Sequence, residues 1–246
     1  MGLREHCEHS GNWLFKKRSY IPLVLLPVIF FSMLVSSDYP QAFAQTWTWK
    51  ILAFAVAFLG LAWRSYVIGQ VPKGTSGRNT HCQVAEVLNT KGLYSIVRHP
   101  LYLGNFLMIL GVVLWTGIWW LVLLYSLLFW LYYERIMFAE EEFLRAKFGH
   151  DFEKWAAKTP AFFPAFSRYR PSELVFSMKN VLQREYSGLF AMVVSFVALE
   201  LFDAFVVSKT GLLPLPWILL LAFTIAAVLV LRLIRKKTRL LHVEGR

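Results

Sequence analysis

Two apolar segments, residues 103–116 and 119–133, stand back to back with only an uncharged Gly117-Ile118 step between them. A turn without charge inside so much hydrocarbon-like sequence is read as the tip of a helical hairpin that crosses a membrane and returns. At 1.5 Å per residue each leg measures about 22 Å, most of an apolar bilayer core of about 30 Å. An antiparallel hairpin brings its two open ends together. One end carries Gly92-Leu93-Tyr94 and Arg98-His99-Pro100-Leu101-Tyr102-Leu103-Gly104; the other carries Arg135 and Glu140-Glu141-Glu142. The pattern predicts that Arg98, His99 and Tyr102 lie beside Arg135, Glu140 and Glu141 at one membrane face. Ionisable groups converging at a bilayer boundary require a purpose, either a site or an anchor.

The rest of the chain agrees with a membrane setting. Of its 246 residues 57% are hydrophobic, against about 45–50% in soluble domains, and ten are Trp, a residue enriched at membrane interfaces. The net charge of +11 does not point to nucleic acid, because the basic residues fall between and beside the apolar runs. That placement orients a membrane protein and attracts acidic headgroups. The two cysteines, Cys7 and Cys82, fall in segments read as cytosolic, so no disulfide framework is expected.

Taken in order, residues 1–19 form a polar N-terminal segment. Residues 20–69 hold two transmembrane helices, the first carrying Pro22 and Pro27. Ala42-Phe43-Ala44 resembles a signal-cleavage site, but its distance from the apolar core favours a retained first helix. Residues 70–164 contain a loop, the hairpin and an amphipathic helix over 138–158 expected to lie in the membrane surface. Residues 165–246 form a C-terminal extension with two further spans, 186–207 and 215–233. Arg64, inside the second span, either snorkels to the interface or faces inward. Glu200 and Asp203, three apart near the outer end of the fifth span, read as headgroup-level residues or part of an ion path. Of the 26 Lys and Arg, only Lys50 and Lys209 fall outside and only Arg64 in the interior of a span, when both termini are placed in the cytosol and Arg232, at a span's end, is counted with the tail. The expectation is an all-α integral membrane protein of about six transmembrane helices, with a cytosolic-facing site at the base of the hairpin.

The chemistry at that base narrows by exclusion. There is no dinucleotide or phosphate-binding glycine loop, no His or Cys cluster at metal-ligand spacing, and no nucleophile-base pair for acyl transfer. The remaining set offers guanidinium forks for an anion and carboxylates for an ammonium or hydroxyls, ahead of a helix that Pro100 opens. A small zwitterion would be well served. Interfacial anchoring of the hairpin explains the same charges equally well. A non-enzymatic transporter or lipid-binding protein is the reading from another class.

At these residues the chain resembles the isoprenylcysteine carboxyl methyltransferase family, which is related to the membrane phospholipid N-methyltransferases. The family pattern of Gly-x-Tyr, Arg-His-Pro-x-Tyr-x-Gly, an apolar hairpin and a paired Glu stands here as Gly92-Leu93-Tyr94, Arg98 to Gly104 and Glu140-Glu141. It continues in Leu144, Phe148-Gly149 and Thr159-Pro160, while Arg64 and Gly69 match a looser feature of the preceding span. The likeness covers about residues 60–164. It implies S-adenosylmethionine as cofactor, held by Glu86, Val87, Leu88, Asn89, Tyr94, His99, Pro100, Leu101, Tyr102 and Glu140. It implies methyl transfer to a lipid or lipidated acceptor from the bilayer, with no metal. Carboxyl O-methylation of an isoprenylcysteine-like substrate is expected; an ethanolamine-type phospholipid is the alternative. Arg98 and Arg135 would orient a carboxylate, and Glu140 or Glu141 would take a proton from an amine. The family's substrate-contacting Arg has Ile136 at its position here, with Arg135 one residue away. A membrane reductase of the steroid-reductase kind has a related hairpin and would bind NADPH instead.

Overall fold

The computed structural model describes residues 2–36, 39–72, 83–238, 240–241 and 243. Among them every regular element is helical, apart from a single bridge between Gly92 and Arg170. The expected irregular start of the 70–98 loop falls largely outside the described residues, as do Cys82 and Arg239. The main helices are α1 (Leu3–Lys17), α2 (Ile21–Val35), α3 (Trp47–Gly69), α4 (Pro100–Trp115), α5 (Trp119–Phe148), α6 (His150–Ala156), α7 (Met178–Phe202) and α8 (Leu215–Lys237). A π-helical turn, Asp203–Val207, extends α7.

Their starts follow from local chemistry. Thr46 and Ser177 cap α3 and α7 by accepting from backbone amides three residues on, those of Trp49 and Asn180. Proline opens α4 and α8, where the missing N–H has no helical partner to lose. Four segments are long and apolar enough to cross a membrane: Trp47–Gly69, Trp119–Phe148, Met178–Val207 and Leu215–Lys237. The other two expected spans are apolar but shorter, at Val24–Val35 and Pro100–Trp115.

The hairpin turns at Gly117, whose φ of +70° suits glycine. A Cβ there would also stand 2.5 Å from the Ala44 Cβ. The returning leg differs from the expectation. Residues 119–133 and the acidic stretch form one uninterrupted helix, α5, of 30 residues. It is about 45 Å long, more than a bilayer core, so its second half projects past the apolar zone. The surface helix expected over 138–158 is instead the end of α5, a break at Gly149 with φ +52°, and the seven-residue α6. Phe152 of α6 is fully buried, so one face of that segment belongs to the protein interior.

Helices α3 and α4 form the tightest pair. A Cβ on Gly60 would lie 2.6 Å from the Gly104 carbonyl oxygen, and one on Gly111 2.6 Å from the Ala57 Cβ. Small residues let backbones approach where lipid removes the hydrophobic drive between helices. Helix α7 packs on α3, and α8 packs on α7. The polar N-terminal segment is itself helical, and α1 lies along the projecting half of α5. Tyr132 donates to the Leu14 carbonyl (2.9 Å), and Arg4 pairs with Glu142.

A strap after α6 closes the base of the hairpin. The backbone N–H groups of Arg98 and His99 donate to the carbonyls of Pro160 (2.8 Å) and Ala161 (3.2 Å). Ala165 N donates to Ile96 O (2.9 Å), and Arg170 N to Ser95 Oγ (2.9 Å). Phe162 anchors the strap among Phe106, Phe129 and Trp130. The segment that carries the Arg-His-Pro motif is therefore fixed from both sides, by α4 and by the strap.

At the opposite end Lys50, Glu200 and Asp203 are buried, with 7%, 4% and 7% of their surface exposed. Lys50 does lie in the first turn of α3, at the end of that span, but its side chain turns inward, and Glu200 and Asp203 are enclosed by protein rather than set among headgroups. Lys50 Nζ contacts both oxygens of Glu200 at 2.9 and 3.0 Å. Charges this deep in apolar surroundings persist only when paired.

Candidate active site

The hairpin brings its charged ends together as the spacing predicts. His99, the residue before α4, is buried, and both ring nitrogens face carboxylates of α5. Nε2 lies 2.9 Å from Glu141 Oε1, and Nδ1 lies 3.4 Å from Glu140 Oε2. Tyr102, one turn into α4, donates from Oη to Glu140 Oε1 at 2.7 Å, and its ring stacks with that of His99. Arg98 Nε stands 3.0 Å from Glu141 Oε1, an ion pair whose N–H is not aimed at the oxygen. Arg98 Nη1 donates to the Ala156 carbonyl at 3.2 Å, tying the motif to α6.

The three glutamates thus divide. Glu141 is held between Arg98 and His99. Glu142 points the other way, to Arg4 and Arg145, and fastens α1 to α5. Among the described residues, Glu140 takes a 2.7 Å hydrogen bond from the Tyr102 hydroxyl and a longer 3.4 Å contact from His99 Nδ1. Its side chain, 25% exposed, is the most open of the three.

Burial alone would pull the His99 pKa down. Its hydrogen bonds to Glu140 and Glu141 and their negative charge outweigh that, so the net shift is upward and the imidazolium is favoured. Burial, and then the charge of Glu140, holds the Tyr94 hydroxyl above the usual phenol range, with Arg184 and Arg64 opposing. Tyr94 therefore stays a neutral donor, within electrostatic reach of the same carboxylate. Its backbone carbonyl accepts from Trp155 Nε1 at 3.1 Å.

Other predicted positions fare differently. The Pro100 carbonyl accepts from Trp63 Nε1 at 3.0 Å, and Leu101 packs on the apolar cluster of Val67, Val71, Leu93, Ile96 and Val97. Glu86 and Val87 are exposed, and Leu88 and Asn89 half-buried. Among the described hydrogen bonds and ion pairs, none joins this stretch to His99, Tyr102 or Glu140. Arg135 is not brought to the cluster. Its Nη1 reaches α1, at 3.2 Å from Ser10 Oγ and 3.9 Å from Cys7 Sγ. One residue of helical rotation is about 100°, so a shift from 136 to 135 moves the side chain to another face.

Arg64 takes the inward-facing alternative. Its Nε and Nη2 grip Glu185 of α7 at 3.0 and 2.9 Å, and Nη1 donates to Asn105 Oδ1 at 2.5 Å. Gly104 makes room for it: a Cβ there would meet Arg64 Cγ at 2.4 Å. Asn105 Nδ2 donates to Tyr133 Oη at 3.3 Å, and the Tyr133 ring lies against Tyr102, with centroids 4.7 Å apart. Sequence reasoning missed Asn105, Tyr133 and Glu185. The one available signal was Arg64 itself, since a guanidinium within a span needs a carboxylate from some neighbouring helix. Among the described residues, no group of three or more His, Cys, Asp or Glu is placed to hold a metal ion.

Comparison with known proteins defines the class. The phospholipid methyltransferase family matches residues 49–151, from the start of α3 to α6. The cobalt-zinc-cadmium resistance protein CzcN of Cupriavidus metallidurans is 32% identical over 158 residues, 64% of this chain and 67% of that protein. The protein-S-isoprenylcysteine O-methyltransferase of Schizosaccharomyces pombe is 36% identical over 78 residues, 32% of this chain and 33% of that enzyme. The nickel-cobalt-cadmium resistance protein NccN of Alcaligenes xylosoxydans xylosoxydans is 40% identical over 83 residues, 34% of this chain and 38% of that protein. The matched region thus spans little more than a third of the last two relatives. No solved structure gives a significant match. An all-helical membrane fold with this motif-bearing hairpin defines a membrane methyltransferase. The chain belongs to the isoprenylcysteine carboxyl methyltransferase family, related to the phospholipid methyltransferases.

Proposed function

We propose that the protein transfers a methyl group from S-adenosylmethionine to a lipid-borne acceptor drawn from the bilayer, at the cytosolic face. The observation that carries this reading is Glu140, held by Tyr102 at 2.7 Å and facing His99, yet still partly open. The donor set suits the cofactor. The Glu140 carboxylate and the Tyr94 and Tyr102 hydroxyls fit its cationic and hydroxyl-bearing parts, and His99 fits its carboxylate. When bound there, S-adenosylmethionine supplies an electrophilic methyl group. The remaining work falls to orientation, because an in-line displacement depends on holding the two reactants in register.

In this reading Glu141 is a holder. It fixes the His99 ring and the Arg98 fork, while the strap residues 160–161 fix their backbone. Arg98 is the guanidinium at hand to align a carboxylate acceptor, of the isoprenylcysteine type; Arg135 is turned away. A carboxylate is ionised near neutral pH and needs no base. For an amine of the ethanolamine type, Glu140 is the less committed carboxylate and would receive the proton. The cytosolic placement rests on the basic residues: α1, the α5–α7 connection and the end of α8 share the end of the bundle that holds the site. Arg235 at that end contacts Tyr186 at 3.5 Å. Two relatives are named for resistance to cobalt, zinc, cadmium and nickel. We extend that setting to this chain as the physiological context of the methylation.

The test has two arms. Membranes containing the protein, given methyl-labelled cofactor, should place label in a lipid-extractable product whose base lability separates ester from amine. Glu140→Ala should lower that transfer by about a hundredfold or more, the scale for removing one preorganised partner. Label that is indifferent to Glu140→Ala, or no saturable cofactor binding by the purified protein, would sink the enzymatic reading. Cells lacking the protein should lose tolerance to those metals; unchanged growth would remove the physiological context alone.

A further inference from the structure

The C-terminal helices lie beyond the family match, which ends at residue 151, yet α7 reaches into the site's polar network. Glu185 is 5% exposed and takes two of Arg64's N–H groups in a bidentate pair. Neutralising a guanidinium within a span requires no more than that. The contacts nevertheless continue. Arg64 Nη1 is spent on Asn105 Oδ1 at 2.5 Å, which orients the Asn105 amide so that Nδ2 meets Tyr133 Oη at 3.3 Å. The Tyr133 ring backs the Tyr102 ring, and Tyr102 Oη holds Glu140. The chain of contacts crosses four helices, α7, α3, α4 and α5, in that order. It has a direction: the amide of Asn105 has one acceptor and one donor end, so a cation on one side fixes what it presents on the other.

We infer that Glu185 of α7 is a positioning residue for the proposed methyl-transfer site, acting through Arg64, Asn105 and Tyr133 to set Tyr102 and Glu140. The C-terminal extension is then part of the catalytic unit and not an appended pair of spans. This rests on the functional reading above.

The test uses the full chain purified in detergent, with S-adenosylmethionine as the probe and thermal melting measured on the same samples. Asn105→Ala leaves the ion pair intact and cuts the link. It should melt close to the unaltered protein yet bind cofactor about tenfold more weakly, the scale of one buried hydrogen-bonded contact. Glu185→Gln should lower both. The exchange Arg64→Glu with Glu185→Arg restores a salt bridge between α3 and α7, but a glutamate at 64 has no N–H to give Asn105. It should recover melting and leave affinity low. Recovery of both, or wild-type affinity in Asn105→Ala, would mean that α7 merely clamps α3, and would overturn the inference. Absence of binding by the unaltered protein would remove the methyl-transfer reading and this inference with it.

Discussion

Helices α3 and α7 are joined at both ends by ion pairs, Arg64 with Glu185 and Lys50 with Glu200. The two pairs look alike in distance and in their buried carboxylates, Arg64 being the more open cation at 21% exposed against 8% for Lys50, and they differ in what surrounds them. Lys50 Nζ contacts Glu200 and lies 5.0 Å from the Trp115 ring and 6.0 Å from the Trp47 ring. Asp203 beside it is engaged by Tyr39 (2.5 Å) and Ser208 (3.1 Å). That end is a polar knot whose charges are paired with one another, set among aromatic side chains and bordered by a cavity that Trp47, Phe54 and Trp217 line with Lys50. At the other end Arg64 has a donor left over, and it leads through Asn105 and Tyr133 to His99 and the glutamates. Buried charge by itself therefore does not mark a site in this molecule. What distinguishes the site is that its charges are connected onward to a carboxylate that is still open.

The comparison breaks most directly at the Lys50 end. Lys50→Ala leaves Glu200 buried without its cation and should destabilise the protein by about 3–5 kcal/mol. Replacing both residues together by apolar ones of similar size should recover most of the loss. Methyl transfer per folded molecule should stay near the unaltered rate in both variants. A large drop in transfer at full folding would show that this polar knot also serves the site.

The open end should respond to pH. The folded pKa of His99 lies above its ordinary value of 6.5, so its ion pairs contribute fully below about pH 6.5. That contribution fades as pH rises through the folded pKa, because the imidazole loses its proton and its attraction to Glu140 and Glu141. The melting temperature should fall over that window, and His99→Gln should flatten the profile. A profile that instead rises through the window would reverse the assigned sign.

The smallest effect should come from Arg135→Gln. It loses a contact with Ser10 at the α1–α5 seam and should cost about 1 kcal/mol of stability at most. Transfer should be unaffected. A strong loss of transfer would return Arg135 to the acceptor side of the site.

The hairpin and the meeting of His99 and Tyr102 with Glu140 and Glu141 were legible because both rest on local rules. Apolar length sets a span, an uncharged glycine step sets the reversal, and reversal alone brings the ends together. The continuity of α5 was not legible. Alternating aromatic and charged residues over 138–148 read equally well as a surface helix or as a span's exit, and periodicity carries no information about where the bilayer ends. The direction of Arg135 was lost for a similar reason, since it depends on α1 covering that face of α5. For Glu86 to Asn89 the resemblance implied a pocket role; the fold leaves Glu86 and Val87 exposed and Leu88 and Asn89 half-buried, and the described hydrogen bonds and ion pairs do not join the stretch to the glutamates.

From sequence alone follow the helical membrane class, the hairpin and its charged base, since apolar runs, turns and charge placement act within a few residues. Tertiary structure alone decided that Arg64 faces Glu185, that Lys50 is buried with Glu200, and that Asn105 and Tyr133 link α7 to the site. Those pairings join residues more than a hundred positions apart on α3 and α7, or pass between them through α4 and α5. The physical reason is desolvation: in an apolar surrounding each charge must find a partner, and only helix packing determines which one comes within reach.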